Sequence, residues 1–346
     1  MKRKKAMQNK ATVKYIDKTG QLEEGISRFP SVYIEGNAAV GKSVAVRMFL
    51  EKHSEMPHCL FDFFVELKMP EKLLEKLNEL KARMEQETLW LVLENMPEIL
   101  DAEVVACLKE MLHTMKSENR LFFVSRSKPQ IEFLQLLWTD EMCLLPMRKL
   151  LFSQEEIRSF FRRRNISLNV KQVYEKTGGW PGCVAVLAQL SEINKEKSVE
   201  ELLKSYEIRQ YIQCEIIEQL TREERRLLSY IAGCPWVNEK FLEDVWKIEE
   251  ARERLEELER KGLLAYERGK NRWKLAALFE NHIVERLPVT GEEHAWYEQH
   301  KYIVEMFSCL EKSGEEKVYD IAKMPIRDIH KIRGNQIAMI FQEPMT

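Results

Sequence analysis

Residues 36–43 read Gly36-Asn37-Ala38-Ala39-Val40-Gly41-Lys42-Ser43, a G-x-x-x-x-G-K-S pattern that directly follows the short β-rich run 31–35. The two glycines let the backbone turn successive N–H groups toward phosphate oxygens, while the lysine reaches the outer phosphates and the serine hydroxyl ligates Mg²⁺. The next residues read as a helix whose N-terminus points at the bound anion. This stretch predicts a strand, a phosphate-binding loop and a helix, in that order.

Composition indicates a soluble globular chain of roughly two or three domains. Its 346 residues are 45% hydrophobic and 32% charged, and a formal net charge of −2 gives no overall attraction to nucleic acid or membrane. The seven cysteines form no C-x-x-C pair and read as reduced thiols of a cytosolic protein. The basic residues 2–5 precede no apolar segment, and the sequence has no apolar run of about 18 residues. We therefore expect a cytoplasmic protein without a membrane segment.

Residues 31–145 alternate short β-rich runs with longer helical patterns, which predicts a parallel sheet covered by helices. The third strand candidate is apolar throughout, as is usual for a central strand buried on both faces. The strand candidates are 31–35, 59–65, 89–93, 121–125 and 141–145, with helices expected over 69–87 and 101–118.

Strand signals nearly vanish after Pro146, and helix signals replace them. Ser153 and Glu156 have the spacing of a capping box, which opens a helix through Arg164. A second helix is expected to end at 177–179, where two glycines stand, and a third to start at 180–182, where a proline follows a tryptophan. These residues predict a helical lid.

A second capping box, at Thr221 and Glu224, opens another helical region. Helices are expected near 221–231, 238–246 and 249–261, followed by a strand, turn and strand over 262–275. Three helices and a two-stranded wing predict a winged-helix domain. Because that scaffold binds DNA in some proteins and packs internally in others, the fold alone decides nothing about its role.

The expected fold is therefore an α/β P-loop NTPase parallel sheet, followed by a helical lid and a winged-helix domain. The predicted order is a basic N-terminal segment (1–28), the NTPase core (29–148), the lid (149–208), the winged helix (209–290), the start of a helical region (291–313) and a C-terminal segment (314–346).

A polar pair follows the third strand candidate. Glu94 and Asn95 stand where a P-loop NTPase carries the acidic residue that holds Mg²⁺ and orients the attacking water. Glu94 can serve the metal, whereas the Asn95 amide can position a water but cannot take its proton. The alternative is a polar strand end without a role. The pair predicts slow or absent hydrolysis with nucleotide binding retained.

An arginine follows the fourth strand candidate. Arg126 places a cation near the expected γ-phosphate position, where it would report which nucleotide is bound; the alternative is a surface arginine. We expect Glu94, Asn95 and Arg126 to be the catalytic or sensing residues. Ser43 and Glu94 would hold Mg²⁺, and the ligand would be ATP or ADP.

Taken in order, these motifs resemble those of the STAND class of P-loop NTPases, in particular the large LuxR-type ATP-binding transcriptional regulators typified by the maltose-regulon activator. The similarity covers roughly residues 29–310. The order and spacing of the motifs are specific to that family. Of the single motifs, only the phosphate loop is specific by itself. The segments that carry it are 36–43, 89–95, 124–127, 177–182 and 255–264.

The resemblance implies a switch that holds ADP in a closed monomer and self-associates after exchange for ATP. It implies that Gly179 and Pro181 line the adenine side of the nucleotide, although a helix start with proline at its first position explains the same residues. It also implies that Arg126 senses the nucleotide and that the winged helix closes over it.

Two positions depart from the family pattern. The family's paired aspartates are Glu94 and Asn95 in this chain, which puts hydrolysis in doubt. The family's histidine before a Leu-Phe pair is absent, since Ala276 and Ala277 precede Leu278. A phosphate contact that would hold the closed state is therefore missing or made by another group.

Residues 329–346 resemble a different family, the Q-loop region of oligopeptide and dipeptide ABC-transporter ATPases, with Gln342 at the Q-loop position. That similarity starts near Gly314. Because the tail has neither that family's phosphate loop nor its signature motif, we expect a fusion or truncation scar or a gene-boundary artefact.

The leading hypothesis is an ATP/ADP-binding regulatory switch module, truncated before the family's sensor and DNA-binding domains and at most a slow ATPase. One alternative is an ABC-transporter-type ATP-binding fragment, suggested only by the tail. Another is a nucleotide-binding scaffold without hydrolysis, suggested by Asn95. The sequence supports no DNA binding by this chain alone, and it does not name an inducer.

Overall fold

The computed structural model describes residues 15–232, 234, 236–244 and 246–279, which fall into two compact units. Of these described residues, the first unit holds those up to Gln219 together with Arg260–Gly262, and the second holds those from Leu220 to Glu259 and from Leu263 to Phe279. The predicted tail similarity, residues 314–346, lies outside the described residues.

The first unit is built on a sheet whose strands alternate with helices. Its strands are β1 (Ser31–Glu35), β2 (His58–Asp62), β3 (Trp90–Met96), β4 (Arg120–Ser125) and β5 (Met142–Leu145). The helices among them are α1 (Thr19–Arg28), α2 (Lys42–Lys52), α3 (Phe63–Glu66), α4 (Leu73–Gln86), α5 (Ala102–Thr114) and α6 (Ile131–Trp138).

All pairings in this sheet are parallel, in the order β2-β3-β4-β1-β5. The chain after β1 and the chain after β3 therefore reach the same edge of the sheet, one strand apart, because β4 lies between them. Carboxyl ends of parallel strands are the usual place for ligands in open α/β sheets. The predicted α/β parallel sheet is confirmed.

Hydrophobic strands hold the sheet between its helices. Leu91, Val92 and Leu93 in β3 and Phe122 and Phe123 in β4 are fully buried. Helices α4 and α5 cover one face of the sheet through aliphatic residues at helical spacing. Burying each of these large side chains contributes about 1.5–3 kcal/mol, so this central layer is the rigid part of the unit.

The second strand differs from the expected 59–65. It ends at Asp62, because the Asp62 side chain accepts a hydrogen bond from the backbone N–H of Phe64 and caps the short helix α3. Phe63 then turns into the core, whereas Phe64 and Val65 are exposed. A local side-chain cap thus overrides the β propensity of three consecutive apolar residues.

Helices follow the sheet to the end of the first unit. The Ser153 and Glu156 capping box is confirmed, with both reciprocal hydrogen bonds present. The helices are α7 (Gln154–Arg164), α8 (Val170–Thr177), α9 (Pro181–Ile193), α10 (Val199–Leu203) and α11 (Tyr206–Glu215), and a short 3₁₀ turn (Ile217–Gln219) closes the unit.

The second unit holds helices α12 (Arg222–Ala232), α13 (Glu239–Asp244) and α14 (Ala251–Arg260, whose last residue groups with the first unit), then an antiparallel pair, β6 (Leu264–Glu267) and β7 (Arg272–Leu275). Both bonds of the Thr221–Glu224 capping box are present. Trp273 and Phe279 are buried at the centre of this unit. The predicted winged helix is confirmed.

In the part of the chain that the structure describes, none of the helices is long and apolar enough to cross a bilayer.

Candidate functional site

The phosphate loop lies between β1 and α2 and has the backbone that its glycines predict. Gly41 has φ of 90° and Ala39 has φ of 55°, both in the left-handed region. A side chain at Gly36 would lie 2.9 Å from Val40 Cγ2, so this position has no room for one. Asn37 is buried, and its Oδ1 accepts a hydrogen bond from the N–H of Ala38 at 2.9 Å.

The side chain of Lys42 folds back onto the backbone carbonyls of this loop. Its Nζ donates to the carbonyl oxygen of Gly36 at 2.5 Å and to that of Asn37 at 3.0 Å. The pKa of Lys42 is lowered to about 8. Burial is the largest cause and the nearby positive charge of Arg126 the second, while the charge of Glu94 acts in the opposite direction. The ammonium is therefore held among neutral carbonyls beside a second cation, a position that an anion would stabilise.

Ser43 and Glu94 meet at the start of α2. The Ser43 hydroxyl donates to Glu94 Oε2 at 2.8 Å, which brings two hard oxygen donors together beside the loop. Burial raises the pKa of Glu94, and the hydrogen bond from Ser43 and the charge of Lys42 act in the opposite direction. These two oxygens fit Mg²⁺. No group of three or more His, Cys, Asp or Glu side chains that could hold a metal occurs among the described residues.

Asn95 leaves the regular geometry of β3. It has φ of 54° and lies in an irregularity between Leu93 and Met96. Its Nδ2 donates to Oδ1 of Asp62, the last residue of β2, at 2.9 Å. The sequence-based reasoning missed Asp62, because residues 59–65 were expected to be one strand and its carboxylate therefore received no role.

Arg126 follows β4 at the same edge of the sheet and is exposed. Its Nη1 donates to Oε1 of Gln219. After burial, its positive charge is the second cause of the lowered pKa of Lys42. Ser43 and Glu94 contact each other beside the phosphate loop, and the sensing role of Arg126 stays a prediction.

An apolar pocket of about 210 Å³ opens beside the loop. Its walls come from the N-terminal residues 15–18, the loop and first turn of α2, the segment 150–152, and helices α7 and α9. The lining includes Tyr15, Ile16, Val40, Phe152 and Pro181. The sequence-based reasoning missed Tyr15, Ile16 and Phe152, since the tertiary structure alone brings these distant segments together.

Gly179 and Pro181 have different positions relative to this pocket. Pro181 lines it, whereas Gly179 is not among the residues that line it. The Gly179 carbonyl accepts a hydrogen bond from the N–H of Phe152 at 2.8 Å, and Gly179 has φ of 74°. The N–H of Gly182 donates to the carbonyl of Ala39 at 3.0 Å, which ties the first turn of α9 to the phosphate loop.

Comparison with known proteins places these features in a family context. The model of the MalT winged helix domain matches residues 213–296. The chain resembles MalT-type regulators. The HTH-type transcriptional regulator MalT of Yersinia enterocolitica is 23% identical over 188 residues, and that of Serratia proteamaculans is 22% identical over 187 residues. Each match covers 51% of this chain and 21% of the relative, so the chain corresponds to only about a fifth of the relatives it matches.

The fold has a counterpart among solved structures. The Walker-type ATPase PABY2304 of Pyrococcus abyssi superposes with a TM-score of 0.53 over 78% of this chain and 95% of its own length. At 15% identity, this likeness shows the fold alone. Together with the MalT matches, it confirms the resemblance that the order of the motifs predicted.

Two cations on the wing of the second unit pair with one carboxylate. Arg272 Nε donates to Glu267 Oε2 at 2.6 Å, and Lys274 Nζ lies 3.2 Å from Oε1 of the same carboxylate. One acidic side chain on β6 therefore satisfies two of the cations on β7, which leaves them less available to a phosphate backbone.

Proposed function

We propose that this chain is the nucleotide-operated switch module of a transcriptional regulator of the STAND class. ATP or ADP with Mg²⁺ would bind at the loop 36–43 and the magnesium oxygens of Ser43 and Glu94. Exchange of one nucleotide for the other would change the surface that the chain presents and favour self-association in the triphosphate state. Turnover would be slow at most, because Asn95 cannot take a proton from water.

The observation that carries this proposal is the arrangement around Lys42. A lysine whose pKa is lowered to about 8 by burial and by Arg126 lies on the carbonyls of its own loop. Placing two cations in one site costs free energy unless an anion joins them. A nucleotide phosphate would take over the hydrogen bonds of Lys42 and neutralise both charges.

The apolar pocket supports a nucleoside rather than a simple anion. It adjoins the phosphate loop and is lined largely by apolar side chains, which suits a flat base and its sugar. Pro181 forms part of its wall, and the Gly179 carbonyl accepts a hydrogen bond from the N–H of Phe152, which lines the pocket. Pro181 would therefore contact the base side of the ligand, and Gly179 would support that contact through Phe152.

The regulatory role rests on the relatives. Both curated relatives are named HTH-type transcriptional regulators, and the matched winged-helix model covers residues 213–296. We assign the chain to the same kind of cytoplasmic regulator. DNA contact by the wing is not part of the proposal, because Glu267 pairs with Arg272 and Lys274.

A direct binding titration tests the proposal. The full chain is titrated with fluorescent ATP and ADP in the presence of Mg²⁺, beside a Lys42→Ala variant. Lys72→Ala is the control, because Lys72 is an exposed lysine directly before α4. Circular dichroism confirms that each variant is folded.

We expect micromolar binding by the unmutated chain, a loss of about 100-fold or more in Lys42→Ala, and no change in Lys72→Ala. Light scattering with each nucleotide then reports self-association. Equal affinity in all three proteins would show that the phosphate loop is not the binding site, and no binding by the unmutated chain would overturn the proposal.

A further inference from the structure

The carboxyl end of β2 contributes a charged group to the same edge of the sheet as the phosphate loop. Asp62 on β2 lies in register with Glu94 on the neighbouring strand β3. Its Oδ1 accepts two hydrogen bonds, from the N–H of Phe64 at 3.0 Å and from Nδ2 of Asn95 at 2.9 Å. Its negative charge also acts on Glu94, since it is one of the causes that raise the pKa of that carboxyl.

This contact fixes how the Asn95 amide is turned. A carboxylate only accepts hydrogen bonds, so the NH₂ side of the amide must face Asp62 and Oδ1 must face away. The left-handed backbone of Asn95, with φ of 54°, takes its side chain out of the regular alternation of β3. Within the described part of the chain, Oδ1 of Asn95 accepts no hydrogen bond and remains available to a water.

The same contact explains why position 95 carries an amide. An aspartate there would place a second carboxylate within hydrogen-bond distance of Asp62, with Glu94 beside both. Carboxylates at that distance do not both ionise at neutral pH without a large cost. Asp62 on β2 and Glu94 on β3 already bring two carboxyl groups to this edge, and the amide of Asn95 adds no third one.

We propose that Asp62 is a positioning residue for nucleotide hydrolysis, an inference that rests on the proposed function. Asp62 holds the Asn95 amide so that Oδ1 accepts a hydrogen bond from the attacking water. The water oxygen forms a bond to the γ-phosphorus while the bond from that phosphorus to the β–γ bridging oxygen breaks. The proton released by the water ends on the inorganic phosphate product, since the amide oxygen cannot keep it.

A double-mutant cycle tests this role. The variants are Asp62→Asn, Asn95→Asp and the combined exchange Asp62→Asn/Asn95→Asp, all in the full chain. Asn at position 62 keeps an oxygen that can cap α3, so the fold should survive. Asp101→Asn is the matched control, because Asp101 also precedes a helix but makes no side-chain cap hydrogen bond.

Each variant is measured for nucleotide affinity by fluorescence, for single-turnover hydrolysis of ATP, and for thermal unfolding without nucleotide. We expect hydrolysis to fall roughly tenfold in each single variant with affinity unchanged. Asp62→Asn loses the fixed orientation of the Asn95 amide. In Asn95→Asp the new carboxyl shares a proton with Asp62, with which it lies in hydrogen-bond contact, so it neither orients the water nor takes its proton. The combined exchange remakes the hydrogen bond in the opposite direction and should restore turnover. Unfolding without nucleotide should show the same coupling between the two positions.

Three results would overturn the inference. The first is a rate of hydrolysis in Asp62→Asn that is within twofold of the unmutated rate. The second is a rate in the combined exchange that falls by the product of the two single-variant losses. The third is nucleotide binding without any turnover by the unmutated chain, which would leave the proposed function standing. A chain that binds no nucleotide would overturn both.

Discussion

Arg126 donates a hydrogen bond from Nη1 to Oε1 of Gln219, the residue at which the chain leaves the unit that contains the phosphate loop. Gln219 in turn donates from Nε2 to the carbonyl of Cys214 at 3.2 Å. The arginine that the sequence predicts near the γ-phosphate therefore donates to a neutral amide next to the domain boundary. A triphosphate would compete with that amide for the arginine.

This competition predicts that Gln219→Glu selectively weakens triphosphate binding. A carboxylate at 219 forms a charge-assisted pair with Arg126, which then leaves it less readily than it leaves an amide. We expect affinity for ATP to fall roughly tenfold and affinity for ADP to change little, both measured by calorimetry. Gln189→Glu is the control, because Gln189 is exposed on α9. An equal loss for both nucleotides would show that Arg126 does not distinguish them.

Nucleotide affinity should depend on pH through Lys42. Burial, with the charge of Arg126, lowers the pKa of Lys42 to about 8, and bound phosphate would raise it. Below pH 8 the ammonium is already charged, whereas above it binding must take up a proton, so affinity falls as pH rises through about 8. Calorimetry at pH 8 in buffers of different ionisation enthalpy should show uptake of about half a proton. Proton release at that pH would contradict this assignment.

The apolar pocket should govern binding of the base but not of the phosphates. Ala185→Phe fills part of the 210 Å³ volume and should weaken ATP roughly tenfold or more while leaving pyrophosphate affinity unchanged. Gln189→Phe, one turn further along α9 and exposed, adds the same ring outside the pocket and should change neither. Equal losses for ATP and pyrophosphate would place the base elsewhere.

Two adjacent glycines provide a matched test of the wall behind the pocket. Gly178 and Gly179 both have positive φ, so alanine at either position costs about 1 kcal/mol of backbone strain. A Cβ at Gly178 meets nothing within 4 Å, whereas one at Gly179 would lie 2.1 Å from the Phe152 carbonyl oxygen. We expect Gly179→Ala to lower the free energy of unfolding by about 2 kcal/mol more than Gly178→Ala, and only it to weaken nucleotide binding. Denaturant titration measures the difference, and equal costs would refute the packing argument.

Thiol labelling should separate the cysteines by burial. Burial raises the pKa of Cys183, in the first turn of α9, to about 12, so its thiolate is scarce at pH 8. Cys214 is exposed. Iodoacetamide at pH 8 should label Cys214 in the native chain and label Cys183 only after unfolding in urea, as read by peptide mass spectrometry. Rapid labelling of Cys183 in the native chain would mean that α9 opens at its N-terminus.

Much of the fold followed from local sequence signals because those signals have local physical causes. β1 has the predicted bounds because an apolar run meets a glycine loop, and the helix after Ser153 begins where its capping box predicts. β2 could not be predicted correctly, since the side chain of Asp62 stops a run of residues that all favour a strand. Propensity describes single residues, whereas a cap depends on the geometry of the next turn.

The candidate site divides in the same way. The sequence by itself determined the phosphate loop and the positions of Ser43, Glu94, Asn95 and Arg126 at the ends of strands or the start of a helix, because motif spacing and strand ends are properties of the chain. Only the tertiary structure decided which groups those residues meet. The contacts of Asn95 with Asp62 and of Arg126 with Gln219 join residues 33 and 93 positions apart. Such pairs arise because parallel strands and packed helices bring distant segments to one edge, which no local pattern encodes.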